Sequence, residues 1–212
     1  MKRLFKNIEP IKIGVTPPSA ILLISCVIIF VQFLKFNEFR SINFGFEFAD
    51  PFYLIVPSFD VSLPIFIVTY GSLLLYLILY RSDKEIYAKI MVTYSFLILF
   101  RMTSLYILPL SAPHDLIFLE DPILNTFIYP GKIVTDLFFS GHCALLFALY
   151  FSSGRKWYFL MLALLLGILL MVQRCHYSID ILGAVTASDS LIQKLITDSK
   201  DESFPTSVIS VP

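Results

Sequence analysis

The 212-residue chain is 57% hydrophobic with a mean hydropathy of +0.80, and only 15% of it is charged against about 25% in soluble domains, which excludes an ordinary water-soluble fold. Its 16 basic and 16 acidic residues cancel, and no basic cluster marks a nucleic-acid partner, so only the distribution of charge is informative.

About 20 apolar residues at 1.5 Å of rise each are needed to cross ~30 Å of hydrocarbon. Six candidate stretches emerge in chain order: Ser19–Phe36, Val61–Tyr80, Ile86–Leu110, Ile133–Ser152, Trp157–Val172 and Tyr177–Ile196. The third carries Arg101 inside it, and the second half of the sixth is rather polar through Thr186, Ser188, Asp189, Ser190 and Gln193. The first follows a basic segment but leads into Lys35-Phe36-Asn37-Glu38 without a small-residue cleavage pattern, so it reads as a retained span. The predicted fold class is an all-α integral membrane protein with six transmembrane helices. Residues 1–17 are expected to form a cytoplasmic N-terminal segment, 18–197 one six-helix membrane domain and 198–212 a flexible cytoplasmic tail. Cys26, Cys143 and Cys175 are odd in number and lie in or beside predicted spans, which argues against a disulfide framework.

Lysine and arginine gather in cytoplasmic loops, so alternate loops can be compared. Eleven fall on one side, at Lys2, Arg3, Lys6, Lys12, Arg81, Lys84, Lys89, Arg155, Lys156, Lys194 and Lys200. Four fall on the other, at Lys35, Arg40, Lys132 and Arg174. Both termini are therefore expected in the cytoplasm. The outer ends of spans three to six then bring Arg101, Asp136, His142, Arg174, His176 and Asp180 to one exoplasmic face.

Ionisable residues in a span cost about 2.5–3.5 kcal/mol each on insertion scales, so they are there for a partner or a reaction. Two of the three histidines lie in Asp136-Leu-Phe-Phe-Ser-Gly-His142 and His176-Tyr-Ser-Ile-Asp180, while the third, His114, sits in a loop with no evident partner. A spacing of four puts His176 and Asp180 on one helix face within hydrogen-bond reach. A carboxylate against one imidazole nitrogen fixes the tautomer and leaves the other nitrogen as nucleophile or base. His142 is the remaining histidine on that face to serve as a second acid/base group, beside Gly141, which lets a phosphate approach the backbone. Arg101 and Arg174, with Lys132 as a third candidate, can supply positive charge to a phosphoryl group, and the positive ends of spans four and six are expected to point at the same place. The two His and two Asp are acceptable zinc ligands, but neither motif has the compact spacing of a zinc site, and no metal or other cofactor is expected. Arg101 has a structural alternative, neutralising a carboxylate at the interface.

Ser140-Gly141-His142, together with His176-Tyr177-Ser178-Ile179-Asp180-Ile181 and Ala184, resembles the motifs of the type 2 phosphatidic acid phosphatase superfamily, specifically its sphingomyelin-synthase-like branch. Asp136 stands where that branch has an Asp four residues before the Ser, and Pro57-Ser58-Phe59-Asp60 is faintly similar to its Pro-Leu-Pro-Asp segment. The likeness covers about Pro57 to Ala184. It implies that His176 attacks phosphorus, Asp180 orients it, and His142 protonates the departing diacylglycerol oxygen and later deprotonates an acceptor. Arg101, Asp136, Ser140, Gly141, Tyr177 and Arg174 are then the residues around the phosphate, and membrane lipids are the donor and acceptor partners. Cys143 replaces the usual Thr after Ser-Gly-His, and Val185 a common Tyr. The ordinary phosphatases place an Arg six residues before the nucleophilic His, where this chain has Leu170, and no Arg-Pro pair occurs. The missing arginine and the missing Arg-Pro pair favour the synthase-like branch, and with it a lipid head-group phosphotransferase. A lipid phosphate phosphatase is the alternative within enzymes, and a non-catalytic lipid-binding or transport protein the alternative outside them.

Overall fold

A computed structural model describes residues 17–119 and 134–201. Among these residues the chain is all-helical apart from one isolated bridge between Phe46 and Leu110. Six α-helices follow one another: α1 (Pro17–Phe44), α2 (Ser62–Leu79), α3 (Lys84–Ile107), α4 (Gly141–Ser152), α5 (Trp157–Val172) and α6 (Ser178–Asp201), with a 3-10 turn at Pro51–Leu54 between α1 and α2. Three of them, over Pro18–Phe44, Ser62–Leu79 and Ile86–Ile107, are long and apolar enough to cross a membrane; α4 and α5 are apolar but have 12 and 16 residues.

The helix ends differ from the predicted spans, each for a physical reason. α1 runs eight residues past Phe36, because nothing breaks the helix before Gly45 and its polar residues find partners. Glu38 accepts from Val134 N, Thr135 N and Thr135 Oγ1, Asn37 Nδ2 donates to Thr135 O, and Arg40 donates to Tyr106 O while lying over the Tyr106 ring. Lys35 and Arg40 are therefore helical rather than loop residues. α3 stops at Ile107, short of the predicted Leu110, because Pro109 bars helical geometry just before it. The largest correction is to the fourth span. Residues 134–139 are not helical, and α4 starts only at Gly141, where Ser140 Oγ accepts from Cys143 N as the N-cap. Glu38 and Asn37 hold the backbone of Val134 and Thr135 ahead of it. Ile133 itself and Lys132 lie outside the described residues. α6 continues through Asp201, past the predicted Ile196.

α4 is the central helix, packed against α2, α3, α5 and α6, and six of its residues, Cys143, Ala144, Leu146, Phe147, Ala148 and Leu149, are buried. Small residues let the neighbours close in. A Cβ on Gly167 of α5 would meet Ile181 at 3.2 Å, and one on Gly183 of α6 would meet Phe139 at 3.1 Å. The outer surface of the bundle is apolar: Ile21, Ile24 and Ile28 of α1, Leu74 and Ile78 of α2, Leu164 and Ile168 of α5 and Leu182 of α6 are all exposed. Helices apolar on both their packed and outward faces suit a lipid surround.

Candidate functional site

The site forms where α4 and α6 begin and α3 ends. Ser140 N donates to Asp180 O at 3.2 Å, which sets the first turns of α4 and α6 side by side, and Arg101 reaches them from the last turns of α3.

His176 Nδ1 lies 3.2 Å from Asp180 Oδ2, with the histidine 5% exposed and the aspartate wholly buried. The predicted one-turn helical spacing is modified, since α6 starts only at Ser178 and His176 precedes it. The carboxylate curls back over the helix start instead, and the same Oδ2 accepts from Tyr177 N at 2.9 Å. Asp180 thus caps the first turn of α6 while it addresses the imidazole. Its Oδ1 is buried and has no hydrogen-bond partner.

Asp50, 128 residues before Ser178, completes that cap. Its Oδ2 accepts from Ser178 N, and its Oδ1 from Phe52 N at 3.0 Å. Two carboxylates therefore occupy the positive end of α6, so side-chain anions already fill the place that the helix dipole favours there. The helix start without such a carboxylate is that of α4.

There the guanidinium of Arg101 meets Gly141, where a Cβ would collide with Arg101 Nη1. The other nitrogens of Arg101 are bound to Asp136: Nη2 lies 2.7 Å from Oδ1 and 3.2 Å from the Asp136 carbonyl, and Nε donates to Oδ1 at 3.1 Å. Arg101 is 5% exposed, so the pair holds a cation in low-dielectric surroundings with one edge toward the α4 start. His142 is the second residue of α4 and is half-buried.

Three sequence candidates have other tasks. The Ser140 hydroxyl is the α4 cap and is fully buried. Tyr177 is buried with its ring edge-on to Phe48, and its hydroxyl donates to Ser111 O at 3.0 Å. Arg174 has left-handed backbone (φ 57°); its Nη2 donates to Tyr53 O and Val56 O, and its guanidinium lies 4.5 Å over the Tyr53 ring. Arg174 binds the α1–α2 connection rather than the edge where Arg101 meets α4.

Residues that sequence reasoning missed secure the junction. Tyr53 Oη donates to His176 O at 2.9 Å, and burial first, then the Asp50 carboxylate, pushes the Tyr53 phenol far above its ordinary pKa. Gln173, fully buried, accepts from Val61 N at 2.9 Å and donates to Ser62 Oγ at 2.6 Å, while its carbonyl accepts from Ile117 N. The one sequence signal for Gln173 is an amide closing an otherwise apolar span. Burial raises the Cys175 thiol well above its usual range, so it is held as the neutral thiol. No family model, curated protein or solved structure matches the chain.

Proposed function

We propose that this chain is a lipid head-group phosphotransferase of six membrane spans, with both termini in the cytoplasm and its reaction centre on the exoplasmic face. The observation that carries the reading is the His176–Asp180 pair, set beside the α4 start that bears His142 and the Arg101 guanidinium.

With Asp180 on Nδ1, the Nε2 of His176 carries the lone pair. In the proposed reaction Nε2 attacks the phosphorus of a glycerophospholipid, the bond from phosphorus to the diacylglycerol oxygen breaks, and His142 gives that oxygen its proton. The hydroxyl of a ceramide or diacylglycerol-like acceptor then loses its proton to His142 and attacks phosphorus, and the phosphorus–nitrogen bond breaks to restore His176. Arg101 and the positive end of α4 carry the charge on the phosphoryl oxygens. Asp136 serves through Arg101 by fixing its orientation. A lipid substrate is further supported by a cleft of 380 Å³ lined by Phe100, Thr186, Ala187, Ser190 and Leu191. It opens between α3 and α6, with Phe100 adjacent to Arg101 and packed on Phe139 at 5.7 Å between ring centres.

The test is turnover of head-group-labelled phosphatidylcholine or phosphatidylethanolamine by the purified protein with ceramide or diacylglycerol present. Label on the acceptor is the expected result. Release of free phosphate from a lipid phosphate would assign the phosphatase reaction, and no turnover across a broad lipid panel would reject both.

A further inference from the structure

The connection between α1 and α2 has two faces of opposite character. Its inner face holds the histidine junction: Asp50 caps Ser178, Tyr53 donates to the His176 carbonyl, and Arg174 clasps the carbonyls of Tyr53 and Val56. Its outer face carries Leu54 and Ile55, 89% and 81% exposed, and the largely exposed Phe59. No charged residue occurs from Pro51 to Phe59. Two neighbouring aliphatic side chains fully open on a tight turn mark a contact surface.

We propose that this turn lies in the polar–apolar boundary of the bilayer, with Leu54 and Ile55 as its lipid contacts. Continuity identifies the lipid surface as the occupant. Residues 55–61 join the turn to α2, one of the three helices able to cross a membrane, whose Leu63 and Ile67 are exposed at its start. Apolar surface therefore extends from a membrane-crossing helix onto the turn. Between them stands Asp60, whose carboxylate accepts from Ser62 N and Oγ and is kept below the usual carboxylate range by those bonds. That arrangement of apolar side chains flanking a solvated carboxylate matches the head-group boundary rather than the hydrocarbon centre. The turn also sets the depth of the histidine it holds, so His176 is kept at the level of lipid head groups. The proposal requires a membrane and is independent of the reaction assigned to His176.

Trp157 is the sole tryptophan, so Trp157→Phe gives a silent background for Ile55→Trp in the full chain reconstituted into phosphatidylcholine vesicles. A second variant in the same background, His114→Trp, is the reference, since the His114 side chain is 90% exposed. Vesicles containing phosphatidylcholine brominated near the head-group end of its chains should quench the Ile55→Trp variant several-fold more strongly than the reference, and aqueous acrylamide should quench it several-fold less. Quenching by acrylamide equal to the reference would overturn the proposal, as would protection from acrylamide without quenching by brominated lipid, the pattern of a protein–protein contact. Should Ile55→Trp fail to fold, a spin label on Leu54→Cys in a background lacking the native cysteines reads the same boundary. Greater accessibility to oxygen than to a water-soluble nickel chelate supports lipid contact, and the reverse rejects it.

Discussion

The backbone N–H of Ser140 donates to the carbonyl of Asp180 across 3.2 Å, fastening the residue two before His142 to the residue whose carboxylate addresses His176. Any shift of α4 along α6 must break this bond, so the two histidine motifs move as one unit. Gly183 of α6, where a Cβ would meet Phe139 at 3.1 Å, keeps α6 close to the chain entering α4.

Asp180 makes both its side-chain hydrogen bonds through Oδ2, to His176 Nδ1 and Tyr177 N. Asp180→Asn can present its amide oxygen at that place and keep both bonds, losing the charge alone. A charge-assisted bond is about 1–1.5 kcal/mol stronger than a neutral one, so Asp180→Asn is expected to slow turnover about tenfold. Asp180→Ala removes the orienting acceptor as well and is expected to slow turnover more than Asp180→Asn does. Steady-state kcat on labelled lipid separates the two; equal rates for Asn and Ala would show that the carboxylate acts through charge alone.

Arg101 and Asp136 are coupled, with side chains 6% and 22% exposed. Arg101→Ala leaves the carboxylate unpaired and is expected to lower stability by about 3 kcal/mol, whereas Arg101→Ala with Asp136→Ala recovers much of that loss. Thermal unfolding in detergent measures the stability cycle. Activity should stay low in the double variant, since the cation proposed for the phosphoryl group is gone. Recovery of activity along with stability would make Arg101 a structural partner of Asp136 only.

Gly141→Ala places a methyl group against Arg101 Nη1. The far end of the arginine has to yield, yet Asp136 holds it, so overpacking of about 1–3 kcal/mol is expected. The guanidinium turns from the α4 start, and activity is expected to fall by more than stability explains. Arg101→Lys in the Gly141→Ala background, with its slimmer head, should recover stability in the same unfolding assay; no recovery would place the clash elsewhere.

Tyr53 gives the pH dependence. Its folded pKa is raised by burial and by Asp50, so the neutral phenol bonded to the His176 carbonyl belongs to the native state. Its contribution is complete below the unfolded tyrosine value of about 10 and is lost as pH rises above it toward the folded value. Thermal unfolding from about pH 8 to 11 should therefore show a steeper alkaline loss for wild type than for Tyr53→Phe, which is less stable at neutral pH. Identical alkaline slopes would show that the Tyr53 phenol carries none of it.

The apolar helices and the two histidine motifs were legible because both are local signals, a run of hydropathy and a spacing of four. The boundary of α4 was not, because Ser140 caps it while Glu38 and Asn37, about a hundred residues earlier, hold the chain before it. Asp50 was invisible for the same reason, since its partner Ser178 is 128 residues away and a lone Asp before Pro51 reads as a turn residue. Tyr177 and Arg174 stand beside His176 in sequence, and Arg174 carries a charge suited to a phosphate. In three dimensions their side chains are engaged by Ser111 and by the Tyr53 and Val56 carbonyls.

The central claim is that the head-group phosphate passes through His176. Mixing the protein with head-group-labelled donor lipid in the absence of acceptor, quenching in alkali and mapping the label tests it most directly. A label stable to base and labile to acid, on the peptide bearing His176 and missing from His176→Ala, is the expected result. Full turnover by His176→Ala, or a label retained on that variant, would contradict it.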